Sequence, residues 1–333
     1  MILKSFKRTD PGTIFMIIMV FMIMWSGTFM VANSRMNLYF DIDPMPLYGI
    51  LSTLTGTHPL PGIILAMVLT GLMSFLVVSL NTSLFFINER TFLPALFYIM
   101  LTGLFPQYQV LNPAIFGAVF LMIAIKRIMD SYRVQGIAYS LYDAGLLIGT
   151  GSLFYSNLIW FGIITIIGIL LLRTINIREI ILSILGIATP FVLGAGLYYA
   201  IGRSSVDFFT LINYNLFGKD TAFAFIPPGI AALTFTSLLV LAALLQLFAM
   251  LGSKKIQSRK IFSLLIWVLV ISVIVFLSVP SVSVEMIYIA AIPACYLLTH
   301  YFIFMRRKTI PEVLFILFFL LILSIQFWYA FKN

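Results

Sequence analysis

The chain has 333 residues, of which 62% are hydrophobic and 9% charged, and its mean hydropathy is +1.11. A soluble domain carries roughly 25% charged residues, so this composition excludes a single water-soluble core and requires most of the surface to meet lipid or other apolar helices. The net charge of +9 does not mark a nucleic-acid binder, because the basic residues sit in short clusters between apolar runs, where membrane-topology signals lie.

In chain order, Lys4, Lys7 and Arg8 precede an apolar run over 13–31. That run is longer than the roughly 7–15 residues of a signal-peptide core, and it reads as an uncleaved first span. A crossing helix needs about 20 apolar residues. Apolar stretches at 13–33, 61–84, 92–104, 113–125, 136–155, 157–172, 180–201, 226–251, 261–279, 285–305 and 312–331 therefore predict an all-α, polytopic transmembrane bundle of about eleven spans. The stretches 92–104 and 113–125 are short, and a re-entrant hairpin around Pro106 and Pro113 would reduce the count to nine.

The positive-inside rule orients the bundle. With the N-terminus cytoplasmic, the inner side carries Lys4, Lys7, Arg8, Arg90, Lys126, Arg127, Arg133, Arg173, Arg178, Lys254, Lys255, Arg259, Lys260, Arg306, Arg307 and Lys308. The outer side carries only Arg35, Arg203, Lys219 and Lys332, and the C-terminus falls in the periplasm. The chain reads as one integral membrane domain over 1–333, with long outer loops at 34–60 and 202–225 and no soluble domain.

Polar residues collect on the outer side. Asp41 and Asp43 precede Pro44, which disfavours helix at Asp43, so the two carboxylates point the same way in an extended segment. So arranged they suit a divalent cation or a general base; solvated loop acids opening a turn are the alternative. His58 stands on the same rim as a candidate acid or base. In the second loop Arg203, Asp207 and Tyr214 lie among aromatics, a composition suited to a lipid phosphate or to interfacial anchoring. Arg35 and Glu285 would join that rim.

Asp143 is the one acid well inside an apolar run, a position that is expensive and faces the bundle interior. It lies toward the inner side, away from Asp41. A structural pair with Lys126, Arg127 or a tyrosine competes with an ion-carrying role. Gly145, Gly149 and Gly151 beside it permit close helix packing. Cys295 is the only cysteine, so no intrachain disulfide or Cys-based metal site exists. No Gly-x-x-x-x-Gly-Lys or Gly-x-Ser-x-Gly motif is present, which argues against an NTPase or a serine hydrolase of those types.

An early outer loop with Asp41 and Asp43 is followed by Glu89-Arg90, Leu104-Phe105-Pro106, Lys126-Arg127 and the run from Asp143 to Gly149. In this order the chain, over residues 13–200, resembles the GT-C class of membrane glycosyltransferases. The whole chain also looks like an uncharacterised family of inner-membrane proteins from Bacteroidota-type bacteria. The first resemblance implies a transferase using a polyprenyl-phosphate-linked sugar at the outer face of the bacterial inner membrane. Asp41, Asp43 and His58 would be catalytic, and Arg35, Arg203, Asp207, Tyr214 and Glu285 would contact substrate or lipid phosphate. The chain departs from that pattern in the Ile42 between its two acids and in the absence of an outer soluble domain after the last span. The alternative expectation is a non-enzymatic subunit of an envelope complex, or a transporter or flippase using Asp143. Membrane lipids are the expected partners in each case.

Overall fold

The computed structural model describes residues 2–31, 43–55, 59–132, 138–172, 176–218, 227–305 and 309–332. Those residues form fourteen α-helices and three short 3-10 turns, with no strand among them. The α-helices are α1 (Ile2–Phe6), α2 (Pro11–Val31), α3 (Pro46–Thr55), α4 (Pro59–Leu84), α5 (Leu93–Thr102), α6 (Pro113–Asp130) and α7 (Ala138–Ser152), then α8 (Ile163–Leu172), α9 (Ile177–Ala200), α10 (Ser205–Phe217), α11 (Pro227–Leu251), α12 (Ile256–Ser278), α13 (Ile287–Phe304) and α14 (Thr309–Lys332). Proline opens α2, α3, α4, α6 and α11. The first turn of a helix has no partner for its N–H, so a residue lacking one fits there. Side-chain caps start others: Asn112 Oδ1 accepts from Ile115 N, Asn176 from Arg178 N and Ser204 Oγ from Val206 N.

Among the described residues, seven helices are long and apolar enough to cross a membrane: Pro11–Val31, Pro59–Leu84, Ile177–Ala200, Gly229–Leu251, Ile256–Ser278, Val284–Phe304 and Thr309–Phe331. The four remaining expected spans take other forms. Residues 92–104 contain the ten-residue α5, buried along its whole length, and 113–125 lie in the 18-residue α6. The stretch 136–155 holds the 15-residue α7, and 157–172 begins as a 3-10 segment, Ser156–Gly162, before becoming α8. The two long stretches expected to be outer loops also contain helices, α3 and α10. Each is too short to cross a membrane at 1.5 Å per residue and lies against the bundle through Met45, Phe208, Ile212 and Leu216.

Long-range bonds sort the chain into two ends. At the basic end Lys7 Nζ donates to Phe302 O (2.7 Å) and Leu3 N to Glu312 Oε1 (3.2 Å). Lys254 Nζ lies 4.6 Å from the Phe304 ring centroid and Lys260 Nζ 5.3 Å from that of Tyr132. Burial there pushes the Lys7 ammonium below the usual lysine range, against the pull of Glu89 and Glu312. The opposite, distal end joins residues 43–48, 103–112, 153–157, 215–218 and 281–288. α13 is the axis of the bundle: 78% of its apolar window is buried, against 17% for α9 at the periphery.

α9 is held mainly by α7, with smaller contacts to α8 and α10. The close packing expected of the glycines is present, because a Cβ on Gly145 would run into the Ser183 carbonyl, one on Gly149 into Ile187 O, and one on Gly186 into Tyr142 O. Gly151 meets Phe120 and Leu158 in the same way. Without a hydrophobic drive between helices in lipid, such backbone approach is a main source of attachment. Gly145→Leu or Gly186→Leu is therefore expected to detach α9 and lower thermal stability by about 3 kcal/mol or more. Gly196→Ala, whose Cβ meets nothing within 4 Å, should melt like the wild type in the same detergent.

Candidate functional site

The distal end is built around a stretch of non-helical backbone inside the bundle. After Thr102 the chain leaves α5, makes one 3-10 turn at Pro106–Tyr108, and re-enters helix at Pro113. Most of residues 103–112 are buried, where an unpaired carbonyl is costly. Side chains from four other helices supply partners. Gln326 Nε2 donates to Gly103 O (2.9 Å), Tyr288 Oη to Tyr108 O (3.0 Å) and Tyr48 Oη to Leu111 O (3.0 Å). Thr28 Oγ1 donates to Gln109 Oε1 (2.7 Å). Asn112, the cap of α6, also donates to Tyr108 O (2.9 Å).

A second group of polar residues continues from this one along the link between α12 and α13. Asn157 Nδ2 donates to Ser281 Oγ (3.2 Å), and Ser281 Oγ to Leu216 O (2.9 Å). Ser156 Oγ donates to Asn215 O (3.2 Å), and Asn215 Nδ2 to Asp43 O (2.9 Å). Glu285 closes the belt: it is only 6% exposed, and it lies beside Tyr108, which bonds Ser283. The belt thus ties the segment after the first span to the ends of α10 and α12.

Beside the belt lies a half-open groove of about 350 Å³ between α3, α7, α9 and α10, with an apolar lining. Pro46, Leu47 and Ile50 form one wall, immediately after Asp43-Pro44, and Tyr198 and Ile201 form the other. Arg203 follows that second wall, with its guanidinium carbon 5.8 Å from the Tyr198 ring centroid and its backbone N–H donating to Tyr198 O (3.0 Å). Tyr198 in turn packs on Phe208 at 5.1 Å.

Of the residues singled out in the sequence, Arg35, Asp41 and His58 lie outside the described residues. Asp43 is exposed at one end of α10, and Arg203 is exposed at the other, just before Ser205. Asp207 and Tyr214 are exposed on α10 itself, and Glu285 is buried in the belt rather than on the groove wall. Asp143 is half-buried on α7 toward the basic end, next to Tyr142, whose hydroxyl pairs with Thr189 Oγ1 at 3.1 Å. It does not line the groove. Asp43 is the described member of the expected cation-binding pair, and among the described residues no three His, Cys, Asp or Glu side chains converge. Sequence reasoning passed over Gln109, Asn112, Asn157 and Gln326. The available signal was an amide inside an apolar run, which without a partner would be excluded from hydrocarbon.

Seven apolar helices of spanning length among the described residues, with polar side chains bonded between helices at the distal end, define a multi-pass α-helical membrane protein. The chain belongs to the DUF6427 family, a family of unknown function, whose sequence pattern matches residues 44–332. No curated protein and no solved structure matches it.

The belt gives a direct expectation. Tyr288→Phe removes the donor to Tyr108 O and should lower stability by about 0.6–1.7 kcal/mol, the range for interhelical bonds in membranes. Tyr214→Phe, on the exposed face of α10, should leave the melting temperature unchanged.

Proposed function

We propose that the protein is a glycosyltransferase-like membrane enzyme that draws a polyprenyl-phosphate-linked sugar from the outer half of a bacterial inner membrane. The observation that carries this reading is the apolar groove with Arg203 beyond one wall and Asp43 just ahead of the other. Its wall residues Leu193 and Leu197 on α9 are 62% and 63% exposed, so a lipid chain reaches the groove sideways without leaving the bilayer. Arg203 offers a fixed cation to the lipid phosphate, the group for which a guanidinium is best shaped. Asp43 offers a carboxylate to an acceptor hydroxyl or, with Asp41, to a divalent cation. Arg203 and Asn215, which holds the Asp43 carbonyl, are twelve positions apart, nearly all of them along α10. That is about 18 Å of helix, room for a phosphate at one end and a sugar with its acceptor toward the other.

In this reading the N-terminus is cytoplasmic, the C-terminus periplasmic and the crossings number eleven. Lys7, Lys254 and Lys260 share one end of the bundle, as the positive-inside rule asks of a cytoplasmic face. The 3-10 segment Ser156–Gly162 with α8 reaches about 29 Å, near the hydrocarbon thickness. Residues 93–112 cross as a half-helix followed by irregular chain enclosed in protein, which the bilayer tolerates.

Two measurements test these points. Envelope glycans compared by mass spectrometry should show the same missing sugar in a deletion strain and in strains carrying Asp41→Asn/Asp43→Asn or Arg203→Gln at normal protein level. Wild-type glycans in both variants overturn the transferase reading. For orientation, the lone Cys295 is buried, so Cys295→Ala gives a background free of thiols. A cysteine placed at Ser204 should then react with an impermeant maleimide in intact spheroplasts, and one at Ser253 only after lysis; the reverse pattern inverts the topology.

A further inference from the structure

α11 and α12 follow one another in the chain, yet they hardly touch; each packs on α13 instead. Their divergence leaves a cavity of about 400 Å³ in the distal half of the bundle. Leu233 and Leu244 line it from α11, Leu269 and Leu277 from α12, and the small side chains of Ala290 and Ala294 form its floor on α13. The hydroxyls in its wall are turned back on their own helices: Thr236 Oγ1 donates to Ala232 O (2.7 Å) and Ser272 Oγ to Val268 O (2.8 Å). Ser237 Oγ likewise donates to Leu233 O (2.7 Å), so the lining offers an occupant no free hydroxyl donor, and no charged residue lines it.

Size selects the occupant. Leu233 to Leu244 spans about 16 Å at 1.5 Å per residue. A helix 10–12 Å across would fill roughly 1,300 Å³ or more over that length, several times what the cavity holds. An alkyl chain, with carbon contacts near 4 Å, is a rod about 4–5 Å wide and fills roughly 300 Å³ over the same length. We infer that the cleft between α11 and α12 is a binding site for one alkyl chain of a membrane lipid, seated on Ala290 and Ala294. This site is separate from the groove beside Arg203, and it does not depend on sugar transfer.

Native mass spectrometry of the full-length protein, purified in a mild detergent, tests the inference. The wild type should retain a phospholipid. Ala290→Phe, which fills the floor, should cut that retention at least tenfold, while Val192→Phe, exposed on α9 and lining neither the cleft nor the groove, should not. Equal retention in Ala290→Phe and the wild type, or none in the wild type, overturns the inference. A second measurement needs no variant: a phospholipid with a mid-chain diazirine should photolabel peptides containing Leu241, Leu277 or Ala290 in preference to the outward face of α9. Uniform labelling, or a crosslink from this cleft to another polypeptide, also overturns it.

Discussion

A peptide carbonyl surrounded by hydrocarbon and protein has no water to turn to, and this constraint organises the distal half of the molecule. Residues 103–112 leave helical geometry between Pro106 and Pro113, so the i-to-i+4 ladder that satisfies the rest of the bundle is broken there. Thr28, Tyr48, Tyr288 and Gln326 are placed on four helices to bond this segment. α2, α3, α13 and α14 are in this way drawn to one short piece of chain, and the belt through Asn157, Ser281 and Asn215 extends the same solution to α10. Burial of these amides and hydroxyls is tolerable because they are bonded.

The other half of the architecture rests on the absence of side chains. Gly145, Gly149 and Gly186 let α7 and α9 approach backbone to backbone, and that seam fastens the most peripheral of the long helices. Because α9 is attached along one edge, its other faces remain open, and the groove bounded by α3 and α10 forms beside it. A tighter bundle would have no such recess. The placement of Arg203 follows from the same geometry, since it emerges where α9 ends and α10 begins.

The long apolar helices and the basic end were legible in the sequence, because both depend on composition summed over many residues. The glycine seam was legible too, since glycines at 145 and 149 fall four apart on one helix face. α3 and α10 were not: stretches such as Pro46–Thr55 are too short for a spanning signal, and their helicity depends on packing against Leu153 and Phe208. Nor was the belt. Asn215 and Asp43 are 172 positions apart, and nothing local to either residue names the other. Asp43 and Arg203 were visible as polar residues beside apolar runs, but their places at opposite ends of α10 followed only from the fold.

The bond from Gln326 to Gly103 spans 223 positions, and that from Tyr288 to Tyr108 spans 180. At roughly 5–20 residues per second of synthesis, the irregular segment emerges some 10–45 seconds before its last partner exists. The carbonyls of Gly103 and Tyr108 therefore gain these partners only once α13 and α14 have been made and packed, so the distal end is the last part of the bundle to be completed.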